Sequence, residues 1–280
     1  MIKYIFLLFI SISVCSCYSP RYVYSPPTQN IPLLDKKNDV EFSAFYGGSI
    51  NVFKEKGNYN RGFDIQSAWA ITNHFAVMIN ENSRWEKNGG NDSFFPADSS
   101  FLSYKRNFTE FGLGYFTSRG ENIKMKFQAF GGAAFGSSKI FDDFISNSIH
   151  YNKYHYSNVT KLFIQPALIY SFFKNFSVAL SSRFTEVIFT HIHTSYTPAE
   201  LRNYLLDSIG VSPVFFWEPA VSYTVGFKKI PVKFQLQGAL TVLLNRRFVE
   251  HRNSNIGLGI TYNFKNAKQK KESVPGKEHL

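Results

Sequence analysis

The run Ser254–Phe264 reads Ser-Asn-Ile-Gly-Leu-Gly-Ile-Thr-Tyr-Asn-Phe and sorts its residues by parity. Ile256, Leu258, Ile260, Tyr262 and Phe264 share one face, and Asn255, Gly257, Gly259, Thr261 and Asn263 share the other. A period of two is a strand; on a helix the two sets would be scattered around the axis. The alternation recurs along the chain. Val40, Phe42, Ala44 and Tyr46 alternate with Glu41, Ser43 and Phe45, and Phe63, Ile65 and Trp69 with Asp64, Gln66 and Ala68. Phe111, Leu113 and Tyr115 alternate with Glu110, Gly112 and Gly114, and Leu162, Ile164 and Leu168 with Lys161, Phe163 and Ala167. Later come Phe176, Val178 and Leu180, then Phe215, Trp217 and Val221, then Val232, Phe234 and Leu236. The chain reads as all-β.

The links between these runs alternate in length. Those at 72–74, 118–121, 173–175 and 228–231 are short; those at 48–60, 81–106, 137–156, 191–212 and 244–252 are long. Short turns on one side and long loops on the other are the mark of a transmembrane β-barrel, with the turns in the periplasm. The count gives an antiparallel barrel of about ten strands with both ends of the sheet at the periplasmic side. The 30 Phe and 16 Tyr, without a long apolar run after the amino-terminus, fit strands with one lipid-facing side. The competing fold is a soluble lipid-tethered sandwich or a lipocalin-type calyx. The aromatic excess and the Gly- and Ala-rich sparse face favour the membrane barrel. Pro166 and Pro219 predict a bulge or bend in their strands.

The amino-terminus reads as a lipoprotein leader over 1–16. Lys3 is its basic end, Tyr4 to Val14 its apolar stretch, and Ser16-Cys17 the cleavage point at which Cys17 would be acylated. Residues 17–39 hold Pro20, Pro26, Pro27 and Pro32 and read as an extended tether. The barrel is expected over 40–264 and a basic, disordered tail over 265–280. No acidic residue directly follows Cys17, which favours anchoring in the periplasmic leaflet. Cys15 and Cys17 are the 2 cysteines, so no disulfide is expected in the mature chain. The net charge of +11 is partly in the tail, at Lys265, Lys268, Lys270, Lys271 and Lys277. Its expected partners are outer-membrane lipid, anionic headgroups or a cell-wall polymer; nucleic acid is not expected of an exported chain.

These features together resemble the outer-membrane β-barrel lipoproteins of Bacteroidota-type envelopes. The carrying stretches are Asn30-Ile-Pro-Leu-Leu34, Gln66-Ser-Ala-Trp-Ala-Ile-Thr-Asn-His74, Gly112-Leu-Gly-Tyr115, Phe163-Ile-Gln-Pro166, Trp217-Glu-Pro-Ala220 and Gly257-Leu-Gly-Ile260. The resemblance implies fold and location, and no activity.

The chemistry expected inside is a polar network of Glu41, Asp64, Glu110, Lys124, Lys126, Lys161, Arg183, Glu218 and Lys233, all on the sparse face. Charges in a narrow barrel must be paired or hydrated, and ten strands lie nearer the filled limit than the open porins do. A rim hydrolase would draw on Asp142, Asp143, His191, His193 and Ser195, and a metal site on His150, His155, His191 and His193. Neither set has the spacing of a known site, so no catalysis, metal or cofactor is expected. Thr197 to Ile209 predicts a short helix with Thr197 as N-cap, Pro198 at the first position, Glu200 completing a capping box, and Leu201, Tyr204, Leu205 and Ile209 on its packing face. The expected role is structural or surface interaction, with small-molecule binding or narrow-pore transport as the alternative. Replacing Cys17 by Ser should abolish incorporation of a fatty-acid probe, and Cys15→Ser should leave it unchanged; labelling that survives Cys17→Ser refutes the cleavage assignment.

Overall fold

The computed structural model describes residues 21–49, 59–91, 99–117, 125–146, 149–173, 175–227, 231–245 and 248–264. The strands are β1 (Val40–Gly48), β2 (Tyr59–Ala70), β3 (Phe75–Asn91), β4 (Ser99–Phe116), β5 (Met125–Ser146), β6 (Ile149–Phe173), β7 (Phe176–Thr194), β8 (Val214–Gly226), β9 (Val232–Leu240), β10 (Val242–Leu243) and β11 (Ser254–Phe264). Each strand from β1 to β8 pairs antiparallel with the next, β8 with β9, β9 with β11, and β11 with β1. The two-residue β10 carries on from β9 along β8. The result is a closed antiparallel barrel of ten strands. The Ser254–Phe264 run is the strand that closes it, pairing from Val40↔Phe264 to Gly48↔Ile256 on one side and from Ser254↔Leu240 to Tyr262↔Val232 on the other.

The faces are set by what each must touch. Phe42, Tyr46, Phe63, Ile65, Ile79, Phe111, Leu113, Leu162, Ile164, Leu180, Phe234 and Leu258 point outward and are exposed, Leu258 by 62%. No water-soluble surface carries so continuous an apolar band; it is a lipid-facing belt. The opposite face is polar and buried, with Asp64, Asn80, Glu110, Lys161, Arg183 and Glu218 each 1% exposed or less.

Beyond the belt, on the side of the long links, the polarity reverses along the same strands. On β4 the outward residues change from Leu113 and Phe111 to Thr109, Asn107 and Lys105, while the buried inward ones change from Glu110 to Phe108, Tyr104 and Leu102. On β4 the outward side above the membrane thus follows the rule for water, while β5 and β6 keep Phe141, Ile145, Tyr151 and Tyr154 outward there and Arg106, Glu86 and Asp142 stay buried inside. This corrects the expected links at 81–106 and 137–156: the ladder runs on to Asn91↔Ser99 and Ser146↔Ile149. β6 has 25 residues, far more than the roughly 9–11 that cross a bilayer. The alternation of apolar residues stops where the outward face meets solvent, although the strand does not.

The amino-terminal segment is not an external tether. From Arg21 to Leu34 it is buried inside the barrel, with Tyr22 and Leu33 partly so. Its first residues lie at the long-link end: Val23 N donates to Glu250 O at 2.8 Å, and Arg252 N to Tyr24 O at 2.9 Å. Its last lie at the short-turn end, where Lys37 N donates to Asn73 Oδ1 at 3.0 Å and Asn38 N to Ala70 O at 2.8 Å. The segment therefore crosses the whole lumen before turning into β1, with Asn38 at φ 69° in that turn. Sheet ends at the short-turn side do not place Arg21 there. The small inward face of β11 makes room for the segment: a Cβ on Gly257 would stand 2.4 Å from Thr28 Cγ2.

The prolines behave differently from expectation. Pro166 lies opposite Ala129 and Pro219 opposite Ser182 with no change of register. On the other neighbour the pairing lapses, at Gln165 and Pro166 against β7 and at Glu218 and Pro219 between β9 and β10, and resumes in the same register. A register shift falls instead between Tyr156 and Asn158, paired with His193 and Thr190; His191, the bulged residue, has φ 48°. The helix α1 spans Pro198–Asn203 with both halves of the capping box formed. It ends sooner than expected because Leu205 takes φ 57°, which brings Leu206, rather than Leu205, into the buried cluster. In unfolding from lipid vesicles, Leu113→Arg should cost about 2–4 kcal/mol, whereas Asn107→Arg, on the same face of β4 beyond the belt, should change stability little; equal costs would refute the placement of the belt.

Candidate functional site

The lumen and the segment that fills it form the candidate site. Tyr22 to Leu34 carries no charge, so this stretch satisfies the lumenal carboxylates and amides with backbone groups, hydroxyls and side-chain amides. Pro26, Pro27 and Pro32 have no N–H, which removes donors that would otherwise need lumenal acceptors.

At the long-link mouth, Arg21 Nη2 meets Asp142 Oδ2 at 2.5 Å, and its guanidinium lies 3.6 Å from the centre of the Tyr204 ring. The Tyr196 hydroxyl donates to the same carboxylate at 3.1 Å. Burial, and then the Asp142 charge, raise the Tyr196 pKa well above the usual phenol range, keeping it a donor. Just inside, Glu86 lies 2.9 Å from Arg106 and 3.0 Å from Arg252; Arg106 also donates to Tyr22 O, and Arg252 covers the Tyr22 ring. Val23 and Tyr24 join a buried apolar cap with Leu102, Tyr104, Phe216 and Ile209. Outside this cap, α1 is held by Lys153, which donates to Glu200. Burial alone would raise the Glu200 pKa, but the Lys153 bond and the Thr197 cap outweigh it and lower the pKa.

Within the belt the segment is bonded almost residue by residue. Tyr24 Oη donates to Glu218 at 2.9 Å, as does Thr185 at 2.7 Å. Thr28 donates to Asp64 from both N (2.9 Å) and Oγ1 (2.5 Å), while Arg84 grips the same carboxylate with two bonds of 2.6 Å. Gln29 N donates to Gln237 Oε1 at 2.5 Å, and Gln237 Nε2 returns a bond to Gln29 O at 2.9 Å. Asn30 Nδ2 donates to Asn80, and Asn30 O accepts from Gln165, each at 2.7 Å. Asn80 in turn donates to Glu110 at 3.2 Å; Lys161 and Arg183 lie 2.7 and 3.3 Å from that carboxylate. Nearer the turns, Leu33 N donates to Glu41 at 3.1 Å, and Lys126 donates to Leu34 O at 2.9 Å and to Asp35. Leu34 seals this end against Ala70, Ala76, Phe116 and Phe130.

The structure places Glu41, Asp64, Glu110, Lys126, Lys161, Arg183 and Glu218 buried in one lumen, and Lys233 half-buried on the inward parity of β9. Cys17 and Lys124 lie outside the described residues. The network also contains Arg84, Glu86, Arg106, Asp142, Gln165, Gln237 and Arg252. Parity was the available signal: Arg84 and Glu86 continue the inward set of Met78, Asn80 and Asn82. The uncharged stretch 22–34 was the signal for the segment, since a chain that crosses water seldom avoids charge over such a length.

The residues considered for a rim hydrolase are not brought together. Asp142 is used by Arg21; Asp143 faces outward against His150 at 2.6 Å; Ser195 Oγ accepts from Tyr154 N at 2.8 Å. His155 is buried and His191 and His193 are exposed. Among the described residues no three His, Cys, Asp or Glu side chains form a metal-ligating group.

A scan of protein-family models and a search of curated proteins find no match to this chain. Among solved structures it is similar to the translocator domain of the autotransporter NalP from Neisseria meningitidis, at 8% identity, TM-score 0.47, and coverage of 84% of this chain and 90% of that one. It is also similar to the N-terminal β-barrel domain of OprF from Pseudomonas aeruginosa, at 13% identity, TM-score 0.33, and coverage of 82% and 100%. Ail, the attachment invasion locus protein of Yersinia pestis, follows at 15% identity, TM-score 0.31, and coverage of 81% and 99%. The barrel itself is established by its closed strand pairing.

Asp64→Ala should destabilise the barrel by about 3–5 kcal/mol, because it leaves the Arg84 guanidinium buried without its counter-charge. Adding Arg84→Met should recover part of that loss. Chemical unfolding of the single and double variants checks this, and a double variant no more stable than Asp64→Ala would refute it.

Proposed function

We propose that this chain is a lipid-anchored outer-membrane barrel that works as a structural or surface-interaction protein, with its lumen permanently filled by its own amino-terminal segment. The observation that carries the reading is the seating of residues 21–34. Backbone and side chains from Arg21 to Leu34 bond to lumenal groups on β1, β2, β3, β5, β6, β8 and β9. A transport route would have to break these bonds together and strand Glu218, Asp64 and Glu41 without part of their hydrogen bonding.

The remaining features support the same role. The belt supplies the contact with outer-membrane lipid, and the leader pattern ending in Ser16-Cys17 supplies the anchor. The extended hairpins β3–β4 and β5–β6 present Phe101, Phe141, Tyr151 and Tyr154 to the outside, exposed aromatic side chains of the kind that contact a partner. β11 ends at the short-turn side, so the basic tail after Phe264 starts there, on the side where a cell-wall polymer would be met.

Planar-bilayer recording of purified protein, confirmed as folded by its heat-dependent migration on a gel, should show no steady conductance. A stable open current from the folded wild type would overturn the filled-barrel reading in favour of narrow-pore transport.

A further inference from the structure

The direction of the lumenal segment decides where the chain before it must be. Arg21 is fixed at the long-link mouth by Asp142 of β5 and by Tyr204 of the β7–β8 link. Around that mouth the outward side chains include the exposed Lys105, Lys139 and Asp143, so Arg21 stands beyond the lipid-facing belt. Seventeen residues later Asn38 bonds to Ala70 at the opposite mouth. The two ends of the segment thus lie on opposite sides of the membrane.

We propose that the amino-terminal segment enters the barrel from the cell surface, so that the acyl chains of Cys17 sit in the outer leaflet, on the same side as the extended hairpins. The inference rests on the reading that Cys17 is acylated in an outer-membrane barrel. Cys17 precedes Arg21 by four residues, and four extended residues span at most about 14 Å. The apolar band of such a barrel is about 25 Å tall. From Arg21 the periplasmic leaflet is out of reach, and the outer leaflet is the nearer one. The chain outside the barrel wall has no alternative path, because residues 21 to 34 are inside the ring and bonded to it. A segment delivered to the surface inside its own barrel needs no separate export signal, so the lack of acidic residues after Cys17 does not assign the leaflet.

The test uses the full chain in intact cells, in a Cys15→Ser background with Cys17 retained. Single cysteines are placed by Ser19→Cys, by Asp207→Cys in the β7–β8 link, and by Asn73→Cys in the β2–β3 turn, and are reacted with a membrane-impermeant maleimide. Ser19→Cys and Asp207→Cys should react on whole cells, and Asn73→Cys only after lysis. Ser19→Cys reacting only after lysis, together with Asn73→Cys, overturns the proposal. So does equal reaction of all three on whole cells, because the mouths would then not be separated by a membrane. A fatty-acid probe read in parallel on the wild type and Cys17→Ser separates the two premises. Loss of the probe in Cys17→Ser supports the surface anchor. Reaction of Ser19→Cys on whole cells without Cys17-dependent probe refutes the anchor and leaves the threading.

Discussion

A carboxylate held within a ring of ten strands has little water to turn to, and most of this structure follows from supplying it with donors. Glu110 takes Lys161, Arg183 and Asn80; Asp64 takes Arg84; Glu86 takes Arg106 and Arg252. These pairs leave polar groups over, and the amino-terminal segment completes them through the Thr28 amide and hydroxyl, the Tyr24 hydroxyl, the Leu33 amide and the Asn30 carbonyl. An uncharged filler suits a lumen whose charges are largely paired already. A charged one would add desolvation cost without a counter-charge to meet it.

The same strands serve two solvents. In the belt, lipid outside demands apolar side chains, and the closed ladder keeps backbone groups away from it. Past the belt, water outside favours polar residues, as on β4, and Leu102, Tyr104 and Phe216 point inward to form a cap with Ile209 of the β7–β8 link. The segment matches this gradient: Val23 and Tyr24 lie in the apolar cap, Thr28 to Asn30 among the amides and charges, and Ile31 and Leu34 in two small apolar clusters nearer the turns.

Much of the barrel was legible in the sequence, because a lipid-facing strand writes its period plainly. The closing run, the short turns and the ten-strand count all come from that period, and the N-cap at Thr197 comes from local chemistry alone. The hairpin extensions were not legible by apolar alternation, since Thr109, Asn107 and Lys105 face water; parity, without hydropathy, would have carried β4 to its true start. The lumenal segment has no period, because its partners lie on many strands and its conformation is extended between prolines. Its destination is set by long-range pairing, which no local pattern encodes. Leu205 illustrates the smaller misses: a helical face was visible, but not the left-handed residue that ends it.

A segment enclosed by a closed ring is a topological fact as well as an energetic one. The enclosed residues precede β1, and the strand that shuts the ring, β11, follows every other described strand. If the ring closed first, Arg21, Tyr22 and Tyr24 would have to be drawn through a passage already crowded by Arg84, Arg106 and Phe130, breaking and remaking the lumenal pairs at each step. If the strands wrap around a segment already laid down, no side chain has to pass another. The fold therefore favours assembly from the inside outward, with the guest in place before the ring that holds it. Once β1 and β11 have zipped, the guest is held mechanically: sideways exit would require tearing the sheet.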